Sequence, residues 1–426
     1  MNTRLFLILL ATGLLLVGSG CKKESSNNPD YGNYVVFSWN NLGMHCANPS
    51  YDKLVILPPY NTVMAQVVKR GNPPQVVTDG IIVKYAIINN LYSYGKGSYG
   101  GFWDYSQQLF GTAIPNNIGL TGTAMAGNMV VENDHFIAEG IPVTPYDDNL
   151  TWYPYQVAQI IVTDLNGNVL ASTQNTVPVS DEINCAKCHG SNAFDDILAK
   201  HDASQGTSLQ GNEPVLCASC HPDPALNSNG STGVMYLSQA IHGFHADKGA
   251  ACYDCHPGNT TKCNRSNRHT ADDGNCITCH GDVANVATTI ADGRVPWNTE
   301  PACATCHNDV DGVNTGTALY RNSEGHGNLY CSACHGSPHA MYPARELSDN
   351  YQPVQYQYYN SRIKTIGSCG VCHDDSRGDG SSEFGEAHGG SNPEHENACH
   401  ICHTEVPTNT AQWPHAYTWH NSNNKK

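Results

Sequence analysis

Eight times the chain reads Cys-x-x-Cys-His. The copies are Cys185/Cys188/His189, Cys217/Cys220/His221, Cys252/Cys255/His256, Cys276/Cys279/His280, Cys303/Cys306/His307, Cys331/Cys334/His335, Cys369/Cys372/His373 and Cys399/Cys402/His403; they are numbered here as sites 1 to 8. Two thiols at this spacing reach the two vinyl groups on one edge of a haem, and the adjoining imidazole reaches the iron from one face. Structural zinc sites and redox-active Cys-x-x-Cys pairs share the cysteine spacing, but neither needs a His after every second Cys. The pattern therefore predicts eight covalently attached c-type haems.

Each iron then needs a second axial ligand or an open face. Thirteen of the 21 histidines lie outside the motif-terminal positions, while only Met235 and Met341 of the seven methionines fall in the motif-bearing half. Ligation by two imidazoles is expected on that count, and with it lower potentials than methionine ligation would set. The candidates for the second position are His201, His242, His245, His269, His326, His339, His388 and His415. His201 follows a short helical pattern after site 1, His242 and His245 stand three apart before site 3, and Pro338-His339-Ala340 and Pro414-His415-Ala416 repeat one small pattern. His45, His135, His395 and His420 are reserves, and His400 sits inside motif 8, where it is poorly placed to reach its own iron.

The chain that must hold these sites is sparse. Residues 185–403 offer roughly 27 residues per motif, too few for eight ordinary cores, so folding should be coupled to cofactor binding. Short helices at the motifs, joined by wrapping loops, are expected. Residues 34–180 read differently: short β-branched runs between Pro, Gly and Asn clusters. Asp164-Leu165-Asn166-Gly167-Asn168 between two apolar runs is a hairpin signal, and it lacks the spacing of a calcium loop. The Gly- and aromatic-rich stretch 91–105 reads as a long loop folded against a sheet. The fold class expected is two-part: an all-β, immunoglobulin-like sandwich, then a loop-rich, short-helix multihaem domain.

Domain limits follow: 1–20 a signal peptide, 21–33 a lipidated tether, 34–180 the sandwich, 181–420 the haem domain and 421–426 a tail. The start combines one basic residue, Arg4, with the apolar run Leu5 to Val17 and small residues before Cys21, the layout of a secretory signal. Once Cys21 and sixteen motif cysteines are assigned, Cys46 and Cys263 remain. In an oxidising compartment they could form a disulfide or stay as separate thiols. The balance of 38 acidic to 22 basic residues, net −16, argues against nucleic acid as a partner. Arg377-Gly378-Asp379 lies in a polar stretch that reads as a solvated loop.

Gly18-Ser19-Gly20-Cys21 resembles the lipidation site of bacterial lipoproteins, which implies a membrane anchor through Cys21. The eight motifs, with Asn41-Leu42-Gly43-Met44-His45-Cys46 and Ile56-Leu57-Pro58-Pro59-Tyr60 in front, resemble the outer-surface multihaem c-type cytochromes of metal-respiring bacteria. That resemblance implies extracellular electron transfer from a lipid-anchored protein at the outer membrane or cell surface, with other cytochromes or metal oxides as partners. It implies a relay without a catalytic residue. The alternative is an octahaem reductase or oxidase of a small nitrogen or sulfur compound, which would need one open iron.

Overall fold

Strands β1 and β4 are apolar on both faces, and the fold uses both. In the computed structural model, which describes residues 32–71, 73–258, 260–269, 276–307, 318–356, 366 and 369–373, the strands run β1 (Tyr34–Asn40), β2 (His45–Cys46), β3 (Leu54–Val55), β4 (Asn61–Lys69), β5 (Gln75–Val76), β6 (Ile81–Ile87), β7 (Ala126–Asn128), β8 (Val130–Glu132), β9 (His135–Ile141), β10 (Val157–Asp164), β11 (Val169–Thr176), β12 (Val179–Ser180) and β13 (Val215–Leu216). One sheet has the order β1-β4-β9-β8, with β5 also on β4; the other is β11-β10-β6-β7. Lettered along the chain, these are A-B-E-D and G-F-C-C′, the immunoglobulin order. All neighbours within both sheets are antiparallel. The turn at 164–168 closes the β10–β11 hairpin, with Gly167 at φ +88° and the Asp164 carboxylate accepting from the Asn166 and Asn168 N–H groups.

Because successive side chains on a strand point to opposite faces, Val63, Ala65 and Val67 of β4 enter the core between the sheets, with Val83, Tyr85, Ile87, Ile160 and Val162 opposite. Met64 and Val68, with Val35, Phe37 and Trp39 of β1, face the other way into a second core. There they meet Leu329, Tyr330, Ala333, Tyr342, Tyr356 and Val371. The sandwich is thus a wall of the second half and shares its core, where the sequence suggested a module of its own. The exposed edge of β1 is closed by helix side chains: Tyr356 Oη donates to the Val36 carbonyl at 2.7 Å, and Gln352 pairs with both backbone groups of Ser38. An edge so covered offers no template for pairing with another chain.

The stretch 91–105 carries more structure than a loop. It holds helix α1 (Gly100–Asp104), and helix α2 (Ser106–Phe110) follows. Tyr99, Phe102 and Trp103 are buried, and the buried Lys96 ammonium spends its three donors on Asn90, Asp148 and the Tyr146 carbonyl. Beyond the sandwich come α3 (Ala186–His189), α4 (Ala193–Gln205), α5 (Leu237–His245), α6 (Cys276–His280), α7 (Val283–Ala291), α8 (Cys331–His335) and α9 (Tyr351–Tyr356), with 3-10 turns between them. The second half is therefore short helices and turns, as its sparse apolar content requires. Among the described residues, no helix is long and apolar enough to cross a membrane.

Candidate functional site

Every described motif makes one tight helical turn. It is α-helical in α3, α6 and α8, and 3-10 at Cys217–Ser219, Cys252–Asp254, Cys303–Thr305 and Cys369–Val371. The N–H of the motif His donates to the carbonyl of the first Cys at 2.9–3.0 Å in sites 1, 2, 3 and 5. The turn puts positions i and i+3 on one face, so both thiols point the same way and the imidazole follows. Gly190, Gly281 and Gly336 come directly after His189, His280 and His335 at φ +75° to +85°, a positive φ that glycine adopts freely, and the helix ends there.

The two cysteines of a motif are not equally covered. In sites 1 to 6 the first cysteine is half-buried, whereas the second is exposed at Cys188, Cys220, Cys279 and Cys306. Cys255, Cys334 and Cys372 are half-buried second cysteines. The physical reason is position: the second cysteine closes a turn that the chain leaves at once, so less protein covers it. Cys188 shows this most plainly, since Gly190 ends α3 two residues later. Its neighbours include Lys187 and the Cys255 thiol of motif 3. Cys334 and Cys372 are covered because both pack against the core shared with the sandwich.

Six of the motif imidazoles face a second imidazole from elsewhere in the chain. His189 faces His245 (ring centres 6.3 Å apart), His221 faces His201 (6.3 Å) and His256 faces His242 (6.1 Å). His280 faces His339 (6.2 Å), His307 faces His269 (6.4 Å) and His373 faces His326 (6.3 Å). Metal–imidazole nitrogen bonds run about 2.0–2.1 Å. Two in line take roughly 4 Å and leave about 2 Å for the two half-rings, which is what an imidazole supplies. No group of three or more His, Cys, Asp or Glu side chains able to hold a metal occurs among the described residues. The donors come in facing pairs, the set that suits an ion whose remaining ligands belong to a macrocycle. The residues fit an axially ligated haem.

Hydrogen bonds set which nitrogen points at the partner. Nδ1 of His242 donates to the Ser238 carbonyl and that of His245 to the Ile241 carbonyl, both at 2.7 Å. His221 donates to the Met235 carbonyl at 2.9 Å and His339 to the Leu42 carbonyl at 2.8 Å. A carbonyl only accepts, so the hydrogen sits on Nδ1 and Nε2 keeps its lone pair, the usual second-shell arrangement of metal-bound histidine. Asp196 of α4 does the same for His189, at 2.7 Å. Burial pushes the pKa of His256, His335, His339 and His373 down to about 4, so these rings stay neutral at neutral pH.

The reserve histidines His45 and His135 lie on β2 and β9 of the front half. His45 offers Nε2, the other nitrogen, to Asn41 at 2.8 Å, and His135 lies against Tyr330 with Nδ1 3.2 Å from its hydroxyl. Cys46 and Cys263 stand as thiols; among the described residues no cysteine is in a disulfide. Both are half-buried, and desolvation raises their pKa, with Cys263 adding to the effect on Cys46. Cys46 reaches that neighbourhood because β2 pairs with β12, whose Ser180 hydroxyl lies 3.0 Å from that of Thr261. Cys21, Cys399, Cys402, His403, His388 and His415 lie outside the described residues, as does the Cys369 side chain. Sequence reasoning missed the groups that orient the rings: Asp196, and the carbonyls of Leu42, Met235, Ser238 and Ile241. Carbonyls leave no mark on residue type, whereas Asp196, seven residues after His189, could have been suspected.

A family model described as cytochrome c3 matches residues 244–311. That stretch holds motifs 3, 4 and 5 together with His245 and His269. No curated protein matches the chain. The match supports a multihaem cytochrome that binds c-type haem and carries electrons.

Proposed function

We propose that this chain is an electron relay: eight c-type haems, each held between two imidazoles, in an exported protein anchored through Cys21 at the cell envelope, with its outer surface the favoured face. The facing imidazole pairs carry the reading. Haem supplies one-electron chemistry at its iron. The chain's own part is to close both axial faces with nitrogen, to fix each ring through Nδ1 so that Nε2 donates, and to hold the sites in a low-dielectric surround. Closed faces leave no room for substrate at those irons, which favours a relay over catalysis. The acidic surface suits basic redox partners or mineral-bound metal ions; other cytochromes and metal oxides are the partners proposed.

Low-temperature electron paramagnetic resonance on the fully oxidised protein, with iron counted, tests this. The expected result is eight irons per chain, all low-spin. A high-spin signal of about one iron per chain would mark an open site and move the reading to a reductase or oxidase of a small nitrogen or sulfur compound.

The front domain has a part in this ligation. The Leu42 carbonyl that orients His339 is followed by Gly43 at φ +77°. A Cβ on Gly43 would lie 3.0 Å from the Ser337 Cβ and 3.1 Å from the His339 backbone nitrogen. Gly43→Val is expected to cost at least about 1–2 kcal/mol from the left-handed backbone alone, and to displace the His339 segment. Denaturant unfolding should show the loss, and part of one iron should turn high-spin. A protein of unchanged stability and spectrum would refute this role for the front loop.

A further inference from the structure

The two imidazoles of a pair come from segments belonging to different sites, and that interleaving orders the sites in space. Helix α5 carries both His245, facing His189 of site 1, and His242, facing His256 of site 3. Residues three apart on a helix are neighbours, so sites 1 and 3 lie side by side. Lys187 inside motif 1 forms an ion pair with Asp254 inside motif 3, and Cys185 has Cys255 for a neighbour. Site 3 in turn meets site 4: the Cys276 thiol neighbours that of Cys252, and α5 packs on α7, which follows motif 4.

Sites 4 and 5 are joined through their second imidazoles. Arg265 N–H donates to the His339 carbonyl at 2.7 Å, Asn267 N–H to the Pro343 carbonyl at 2.9 Å and Arg345 N–H to the Arg265 carbonyl at 2.7 Å. The segment bearing His269 is thereby paired with the one bearing His339, and Cys306 neighbours Cys279. Site 6 lies against site 5: Tyr320 hydrogen-bonds the Gly336 carbonyl at 3.0 Å and neighbours both Cys303 and Cys331. Site 7 lies against site 6: His326, facing His373, stands just ahead of motif 6, and Cys334 and Cys372 pack on one apolar cluster.

Site 2 breaks chain order. Its second imidazole, His201, comes from α4, the helix whose Asp196 holds His189 of site 1. Motif 2 meets α5 at its start, where His221 Nδ1 donates to the Met235 carbonyl at 2.9 Å and the Leu237 N–H to the Pro222 carbonyl at 3.1 Å, more than a turn before His242 of site 3. We infer that the sites follow one another in space as 2-1-3-4-5-6-7, so that site 2, and not site 1, is one terminus of the described array and the place where an outside redox partner meets it. This rests on the haem reading above.

Iron positions in crystals of the holoprotein, located by anomalous scattering at the iron absorption edge, test the order. The expected result is an iron between the imidazoles of each pair, with the site 2 iron having, among sites 1 to 7, the site 1 iron as its single near neighbour and the site 1 iron lying between those of sites 2 and 3. A site 2 iron between sites 1 and 3, or next to site 4 or a later site, overturns the order while leaving the haem reading intact. The absence of iron between the imidazoles overturns the haem reading, and the order with it.

Discussion

His245→Ala is expected to keep its full complement of covalently bound haem while one iron per chain turns high-spin in the oxidised protein. In the proposed relay the thiols attach the group and the motif imidazole holds one face; only the other face depends on His245, 6.3 Å across from His189. His242→Ala should give the same signal from site 3, and the double variant should show about two high-spin irons. Since α5 carries both rings, the single variants also report on each other: loss of one leaves the helix and the other ring's bond to its carbonyl in place. Replacement of His245 by Met should keep the iron low-spin and raise one midpoint potential, because a methionine axial ligand does so. Spectra are to be read beside a haem count by the pyridine haemochrome method. An unchanged low-spin spectrum in His245→Ala would refute the pairing of His245 with His189.

Arg265→Met is expected to be the most damaging change away from the motifs, lowering stability by about 3–5 kcal/mol. The guanidinium grips Asp349 through Nε–Oδ2 at 2.6 Å and Nη2–Oδ1 at 3.0 Å. Each of these side chains is 1% exposed. A further nitrogen donates to the carbonyls of Lys262 and Cys263, and the group lies over the Tyr155 ring. Thr176 of β11 hydrogen-bonds the same carboxylate. Removing Arg265 leaves the Asp349 charge buried without its partner, and that penalty, more than the lost attraction, sets the size of the effect. Arg265→Met/Asp349→Leu should recover most of the loss. The comparison of the single and double variants by denaturant unfolding decides the matter; a double variant no better than the single one would show that the Arg265 contacts to Tyr155 and the carbonyls dominate.

Much of this was legible in the residues. The motif turns, the Asp164–Asn168 hairpin and the two-part division follow from short-range pattern. The six described candidates for second imidazoles were also found by elimination and local context. Which ring meets which was not legible. His339 stands four residues after His335, yet it faces His280, because the Arg265 N–H and the Leu42 carbonyl hold its segment there. Those are contacts between parts of the chain far apart in sequence, made by backbone groups that every residue has. The unequal cover of the two motif cysteines, Cys188 against Cys185, was equally hidden, because it depends on what packs over each turn. The β-branched runs of β1 and β4 read only as strands; the packing shows that their second face belongs to the motif-bearing half. Deleting residues 34–180 would therefore expose that core.

The interleaved pairs also set a timetable. If the protein is exported amino end first, as proposed, sites 2, 3, 5 and 7 find their second imidazole already across when their own motif appears, since His201, His242, His269 and His326 all precede it. Sites 1 and 4 must wait, the first for His245 and the second for His339. Haem attached to either motif on arrival would spend that interval with one bare face, open to oxygen, peroxide and stray ligands. Among the six described pairs, these two sites are the ones left waiting, and a chain stalled before residue 339 would stay so at site 4.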